Sequence, residues 1–129
     1  MKLGIPKEVF EGERRVATTP EVVPHLVKLG FEIIVQAGAG ERANLADSAY
    51  ESSGATIVPH AATVWKEADI ILKVRAPQID PTTGRDEADY LRENQTLISF
   101  FWPAQNESRM QELAEKRINL LSMDSVPRI

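Results

Sequence analysis

Two short runs of basic residues supply the side chains of this 129-residue chain that are best suited to chemistry. GERRVATTP contains the adjacent Arg14 and Arg15, and ILKVRAP carries Lys73 and Arg75 at alternate positions. Guanidinium groups bind carboxylates and phosphates through paired hydrogen bonds. Alternate residues of a strand share one face, so Lys73 and Arg75 are expected to point the same way near the carboxyl end of their strand. Both runs are therefore candidate anion sites.

Each run also has a structural interpretation. The two arginines of GERRVATTP either grip an anion or form a solvated loop balanced by Glu11 and Glu13, and the sequence supports both equally. Lys73 and Arg75 either line a salt-bridged cleft or lie on the solvent-exposed face of an edge strand. Because a buried cation needs a partner, we favour the cleft.

The segment GAGERA (38–43) matches a form of the dinucleotide fingerprint, but we interpret it as a glycine-rich turn. It follows the second predicted strand, and the fingerprint's acidic residue about 20 positions further on is missing. Trp102 is interpreted as a hydrophobic plug rather than a pocket wall. His25 and His60 are isolated, so no metal site is expected.

Composition narrows the functional classes. The chain is 43% hydrophobic, carries a net charge of -4 and has no cysteine. This excludes disulfides and thiolate chemistry, and the scattered basic residues do not predict nucleic acid binding. The start MKLGIPKEVF lacks the apolar core of a signal peptide, and no apolar run approaches membrane-spanning length. We expect one soluble globular unit.

The elements that must position the basic runs alternate between strands and helices. The predicted strands are KLGI (2–5), FEIIVQ (31–36), ATIV (55–58), DIILKV (69–74), TLISFF (96–101) and INLLSM (118–123). The first helix is predicted to begin with Thr19 as N-cap and Pro20 at its first position, and to stop at Gly30. The last is predicted to be capped by Asn106. Shorter helices are predicted in LADSAYESSG, AATVWKEAD and DEADYLREN.

This alternation predicts an α/β fold: a three-layer, mostly parallel Rossmann-like (flavodoxin-like) sheet with helices on both faces. In such sheets, ligands bind beyond the carboxyl ends of the strands. Both basic runs follow strands and are expected at that edge.

Taken in order, five segments resemble the start of the alpha subunit of proton-translocating NAD(P) transhydrogenases, within the alanine dehydrogenase/transhydrogenase N-terminal domain family. They are GIPKEVFEGERRVATTPE, VQAGAGE, ADIILKVRAP, TLISFFWPAQN and MDSVPRI. The resemblance implies an oxidoreductase that transfers hydride between NADH and NADP+, coupled to proton movement across a membrane. Such transfer needs two nicotinamide rings held close and free of water, without an acid or base on the protein.

The resemblance also implies roles for individual residues. Arg128 matches the family arginine beside the dihydronicotinamide, and with Ile129 it is predicted to bind NAD(H). Arg15, Lys73 and Arg75 are predicted to line the cleft between this lobe and an NAD-binding second lobe, as structural or anion-facing groups. No residue is predicted to be catalytic.

By the same resemblance, residues 1–129 form an incomplete first lobe that lacks the second lobe and a returning C-terminal helix. We expect the isolated chain to be unable to transfer hydride, and to expose an apolar sheet face that promotes self-association. The expected partners are the second lobe, the subunits that bind NADP(H) and cross the membrane, and a second copy of the alpha subunit. The expected location is cytoplasmic, peripheral to the inner membrane.

Two alternatives stay open. Alanine dehydrogenases resemble this chain at RVA, where Arg15 matches the arginine that binds the substrate carboxylate. They require a lysine where this chain has Arg75, and a histidine where it has FWPAQ. An arginine holds its proton too firmly for acid–base work, which argues against pyruvate amination. The other alternative is a non-catalytic scaffold or assembly domain.

Overall fold

The computed structural model describes residues 1–102 and 106–125, which form a single six-stranded sheet with four α-helices. The strands are β1 (Lys2–Ile5), β2 (Glu32–Gln36), β3 (Thr56–Val58), β4 (Ile70–Leu72), β5 (Thr96–Ser99) and β6 (Asn119–Ser122). The α-helices are α1 (Val23–Lys28), α2 (Asp47–Ser53), α3 (Ala61–Glu67) and α4 (Glu107–Glu115). Short 3-10 helices occupy Glu41–Ala43, Glu87–Tyr90 and Met123–Ser125. None of the helices described is long and apolar enough to cross a membrane.

The sheet is parallel throughout, in the order β3-β2-β1-β4-β5-β6. The predicted α/β fold is confirmed, and this order is that of the Rossmann sheet within the doubly wound class. The direction of winding reverses between β1 and β4. A side chain at Gly4 of β1 would place a Cβ only 2.6 Å from that of Ala68, so glycine lets α3 and its following turn approach the sheet closely.

Helices cover both faces of the sheet, as predicted. Along β2, Ile33 and Val35 pack into one core with α1 and α2, whereas Ile34 packs into the other with α3 and α4. Because neighbouring strand residues point to opposite faces, these two cores lie on opposite sides of one sheet. The molecule therefore has three layers.

Among the described residues, exposed apolar side chains gather at one corner of the sheet. Leu120 of β6 packs towards α4, so Leu121 points to the opposite face, where it keeps 50% of its surface exposed. The neighbouring exposed apolar side chains are Phe100, Trp102 and Met123. We call these four residues the open corner: Phe100, Trp102, Leu121 and Met123.

The first helix begins later than predicted. It starts at Val23, and Thr19 and Pro20 belong to the preceding turns, with Pro24 in the first helical turn. Proline has no amide hydrogen and its ring clashes with the carbonyl four residues earlier, so it fits only at a helix start. Pro24 thus sets the start. The predicted stop is confirmed, because Gly30 has a left-handed backbone with φ of +98°.

Two further predictions were longer than the elements. DEADYLREN forms only the 3-10 helix Glu87–Tyr90, with the Asp86 carboxylate accepting the Ala88 amide at 3.0 Å. DIILKV ends as a strand at Leu72. Beyond it, the amides of Val74 and Arg75 donate to the two carboxylate oxygens of Glu8, at 2.9 and 3.1 Å. On this side a side chain thus takes the place of a neighbouring strand, while on the other side Val74 still accepts the amide of Phe100 at 3.2 Å.

Candidate functional site

A cavity of about 420 Å³ lies at the carboxyl edge of the sheet, beside the point where the winding reverses. The loop between β1 and α1 forms one wall, and the residues that end β4 and β5 form another. The lining residues are Arg15, Val16, Ala17, Leu72, Lys73, Val74, Ile98, Phe100 and Met123. This is where ligands bind in doubly wound sheets.

The loop that carries Arg15 is held against α2 by a buried tyrosine. Tyr50 on α2 donates its hydroxyl hydrogen to the carbonyl of Thr18 at 2.7 Å. Burial raises the pKa of Tyr50 to about 12, so the hydroxyl remains a donor at neutral pH. The wall formed by Val16 and Ala17 is thereby fixed against α2.

Lys73 is completely buried between two carboxylates. Its Nζ lies 3.1 Å from Glu8 and 3.0 Å from Glu87, and their side chains are 2% and 4% exposed. Glu87 also accepts the amide of Gln78 at 2.9 Å. Burial raises the pKa of Glu87, against the attraction of Lys73, which lowers it. The two carboxylates therefore balance the charge of the Lys73 ammonium group. The group links the segments that carry Glu8, Lys73 and Glu87.

A second carboxylate organises both arginines. Glu13 accepts two hydrogen bonds from the Arg15 guanidinium, from Nε and Nη2, each at 2.9 Å. It also accepts one from Nε of Arg75 at 2.9 Å. The Arg75 guanidinium lies 3.9 Å above the ring of Phe10, a cation–π contact. Hydrogen bonds from Arg15, then from Arg75, lower the pKa of Glu13 to about 2.

The three predicted cleft cations thus differ in what they offer a ligand. Arg15 keeps 60% of its side chain exposed and lines the cavity, while the Arg75 side chain is 29% exposed and held between Glu13 and Phe10. Lys73 is enclosed. Of the two interpretations of GERRVATTP, the structure contains elements of each: Glu13 balances Arg15, and Arg15 is still accessible to an anion.

GAGERA forms no phosphate cradle, in agreement with its interpretation as a turn. The amide of Gly38, which a phosphate would need, donates instead to the carboxylate of Asp47 at 2.9 Å. A side chain at Gly40 would meet the carbonyl of Leu45 at 2.7 Å, so this glycine is required by close packing of the turn. The Asp47 carboxylate thus takes the place in which a phosphate would accept the hydrogen of the Gly38 amide.

Comparison with known proteins agrees with the geometry. The sequence profile of the family described as "Alanine dehydrogenase/PNT, N-terminal domain" matches residues 4–129. The chain belongs to this family. Its predicted membership is confirmed.

Two relatives and one solved structure represent the two branches of this family. The chain is 47% identical over 129 residues to the NAD(P) transhydrogenase subunit alpha of Cereibacter sphaeroides, covering all of this chain and 24% of that subunit. It is 43% identical over 100 residues to alanine dehydrogenase of Mycolicibacterium smegmatis, covering 78% of this chain and 25% of that enzyme. The structure of transhydrogenase from Sinorhizobium meliloti matches with a TM-score of 0.89 at 34% identity, covering 100% and 35% of the respective chains. The chain thus spans about a quarter to a third of the proteins it matches.

The predicted NAD(H)-binding residues of this alanine dehydrogenase/PNT N-terminal domain, Arg128 and Ile129, lie outside the described residues. Among the described residues, Met123 lines the cavity and begins the 3-10 helix Met123–Ser125. Trp102 lies at the open corner, 42% exposed and stacked on Phe100 with 5.9 Å between ring centroids. It is therefore not the buried plug that the sequence suggested.

Sequence reasoning missed Glu8 and Glu87, the partners of Lys73. It also missed Asp124, whose carboxylate accepts the amides of Phe101 and Trp102 at 3.0 and 3.1 Å. The buried position of Lys73 gave a signal that partners must exist, but not which ones. Glu8 and Glu87 lie 65 and 14 positions away along the sequence, and only the folded sheet brings them to the same ammonium group. No cluster of three or more metal-ligating side chains occurs in the part of the chain that the structure describes.

Proposed function

We propose that this chain is the first lobe of the NAD(H)-binding alpha subunit of an NAD(P) transhydrogenase. In the complete protein it supports hydride transfer between NADH and NADP+, coupled to proton translocation. The observation that carries the proposal is the environment of Arg75, whose guanidinium is paired with Glu13 and lies over Phe10. Alanine dehydrogenases require a proton-exchanging lysine at this position, and a paired guanidinium cannot take that role.

The cavity suits one part of a nicotinamide nucleotide. Its walls are mostly apolar, from Val16, Ile98 and Phe100, with one accessible cation in Arg15. A flat ring beside an anion matches that lining. The turn at Gly38 has no free cradle for a pyrophosphate, so the rest of the dinucleotide must be held by a second lobe. NAD(H) supplies the hydride chemistry, and these residues shape one wall and exclude water.

The same proposal includes the partners. NADP(H) is bound by another subunit or domain, and membrane subunits carry the protons. The alpha subunit acts as a homodimer at the cytoplasmic side, peripheral to the inner membrane. Arg128 and Ile129 complete the nicotinamide site, and Arg15, Lys73 and Arg75 build its wall on this lobe.

The second candidate is an alanine dehydrogenase with altered substrate, and the position of Arg15 favours it. Glu13 fixes that guanidinium through two hydrogen bonds at the rim of the cavity, where an arginine would bind a substrate carboxylate. Lys73, which lines the described part of the cavity, is held between Glu8 and Glu87 and does not replace the missing proton-transfer lysine.

The test uses the complete protein with its membrane partners. We expect NADH to reduce an NADP+ analogue and expect no NADH oxidation with pyruvate and ammonia. Amination of pyruvate would overturn the proposal in favour of the second candidate. Absence of both reactions would favour the scaffold alternative, which NADH binding by the isolated 129 residues would in turn contradict.

A further inference from the structure

A hairpin after β4 lines a second cavity at the carboxyl edge of the sheet. Residues 78–87, which we call the hairpin, are joined by an antiparallel bridge between Ile79 and Asp86. Near its tip, Asp80 and Thr82 line a cavity of about 530 Å³, together with residues of the loop after β1. The shape of this cavity therefore depends on where the hairpin lies.

A group of buried charges fixes the base of the hairpin. The Glu87 carboxylate accepts the amide of Gln78 at 2.9 Å, and the Glu87 amide donates to the carbonyl of Gln78, also at 2.9 Å. Both carboxylate oxygens of Glu87 lie near Nζ of Lys73, at 3.0 and 3.1 Å. The same Nζ lies 3.1 Å from Glu8, in the loop after β1. We call Glu8, Lys73 and Glu87 the Lys73 cluster.

The Lys73 cluster carries one negative charge in excess. It contains two carboxylates and one ammonium group, and the side chains are 2%, 4% and 0% exposed, respectively. The Arg75 guanidinium does not balance the excess, because it is paired with Glu13. A net charge removed from water is costly, and a proton bound to one of the carboxylates removes it. Glu8 accepts two backbone amides and Glu87 accepts one among the described residues, so the proton is expected on Glu87.

The charges that the neighbouring elements bring near Glu87 are mostly paired. Asp86 lies 2.9 Å from Arg109 of α4, which also contacts Glu112. Lys116, at the end of α4, donates to a carbonyl of the 3-10 helix at 2.8 Å. From α3, the 3-10 helix receives an apolar contact, a stacked tryptophan ring. Burial raises the pKa of Glu87 against the opposing attraction of the Lys73 ammonium group, in agreement with the excess charge.

We propose that the Lys73 cluster is a proton-binding site that controls how tightly the hairpin is closed. A proton from solvent binds the Glu87 carboxylate and makes it a neutral carboxyl group, and Glu8 alone then balances the charge of Lys73. When the hairpin opens, Glu87 is hydrated and its pKa returns towards the ordinary value of 4.5. Protons therefore favour the closed hairpin. This stabilisation is complete below pH 4.5 and is lost as the pH rises through the raised pKa of Glu87. Neither the site nor its test depends on the proposed function.

Hydrogen exchange of the hairpin in the complete protein tests this link. The amides of Gln78 and Glu87, which close the base of the hairpin, should be well protected at pH 5 and less protected towards pH 8. Protection is compared after correction for the intrinsic pH dependence of exchange, and one proton allows a loss of at most about tenfold per pH unit. Glu87→Gln has the size of the protonated group and no charge. It should keep the hairpin protected at pH 8 and remove the pH dependence.

Glu67→Gln, which changes an exposed glutamate at the end of α3, is the matched control and should retain the pH dependence of the wild type. Wild-type protection that does not vary between pH 5 and pH 8 would overturn the proposal. An unchanged pH dependence in Glu87→Gln would overturn the assignment of the proton to Glu87.

Infrared spectroscopy of the wild type detects the proton directly, and it serves also if Glu87→Gln does not fold. A protonated carboxyl group has a carbonyl stretch that a carboxylate lacks. We expect this band at pH 5, and we expect it to disappear over the same pH range in which the hairpin loses protection. Absence of the band at pH 5, or a loss of the band at a different pH from the loss of protection, would overturn the link between proton binding and closure.

Discussion

Arg75 Nε donates to Oε1 of Glu13 at 2.9 Å, across 62 positions of sequence. This bond joins the loop after β1 to the loop after β4, on the two sides of the point where the winding reverses. Because Glu13 also holds Arg15, one buried carboxylate fixes both arginines at the cavity. Arg15 and Arg75 are therefore held in place by hydrogen bonds to Glu13 rather than solvated independently of each other.

The first prediction concerns Glu13→Gln. At neutral pH we expect the free energy of unfolding to fall by about 2 kcal/mol, since charge-assisted hydrogen bonds to two arginines are weakened. The pKa of Glu13 is lowered from 4.5 to about 2, so its contribution is complete above pH 4.5 and is lost as the pH falls towards 2. Urea unfolding at steps from pH 7 to pH 3 should show the gap between wild type and variant closing below pH 4.5.

Glu11→Gln is the control, an exposed glutamate in the same loop. It should change the unfolding free energy by less than about 0.5 kcal/mol. A gap between wild type and Glu13→Gln that stays constant from pH 7 to pH 3 would contradict the pairing with Arg15 and Arg75.

The sequence was sufficient for the fold class because the alternation of short apolar runs and helices predicts a mostly parallel sheet covered on both faces. The strand order comes from the structure. KLGI matches β1 residue for residue, and Gly30 ends α1 as predicted. The start of α1 was missed because two prolines competed, and Pro24 rather than Pro20 occupies the first helical turn. Local sequence patterns thus predicted the ends of these elements correctly, except where two prolines could each mark the start of the same helix.

The site was predicted less completely because its contacts are long-range. The cations were visible in the sequence, but Glu8 and Asp124 were not, since each acts on backbone amides more than 20 positions away. A carboxylate that accepts backbone amides in place of a neighbouring strand leaves no periodic pattern in the sequence. The family resemblance indicated the function, and the structure showed which carboxylates pair with which cations.

The second prediction concerns Lys73→Met. The substitution keeps a long side chain but leaves Glu8 and Glu87 buried without a counter-charge, which typically costs about 3–5 kcal/mol of folding free energy. Protonation of Glu87 should relieve part of this cost, because burial already raises its pKa. The variant is therefore expected to regain stability, relative to the wild type, as the pH is lowered from 7 to 5.

Lys66→Met, on the exposed side of α3, is the matched control and should leave stability within about 0.5 kcal/mol of the wild type. The triple variant Glu8→Gln, Lys73→Met, Glu87→Gln should recover stability over Lys73→Met alone, because the buried charges are then absent. If Lys73→Met and Lys66→Met unfold at the same urea concentration, the buried ion cluster does not contribute as described.

The third prediction concerns the open corner formed by Phe100, Trp102, Leu121 and Met123. An exposed apolar patch at a sheet edge favours association, so we expect the 129-residue chain to self-associate as its concentration rises. Leu121→Lys should shift it towards the monomer in light scattering. Leu29→Lys, which removes an equally large and still more exposed leucine beyond α1, should not. A wild-type chain that scatters as a monomer at high concentration would refute the prediction, and an equal effect of both lysines would show that added charge, not the open corner, controls association.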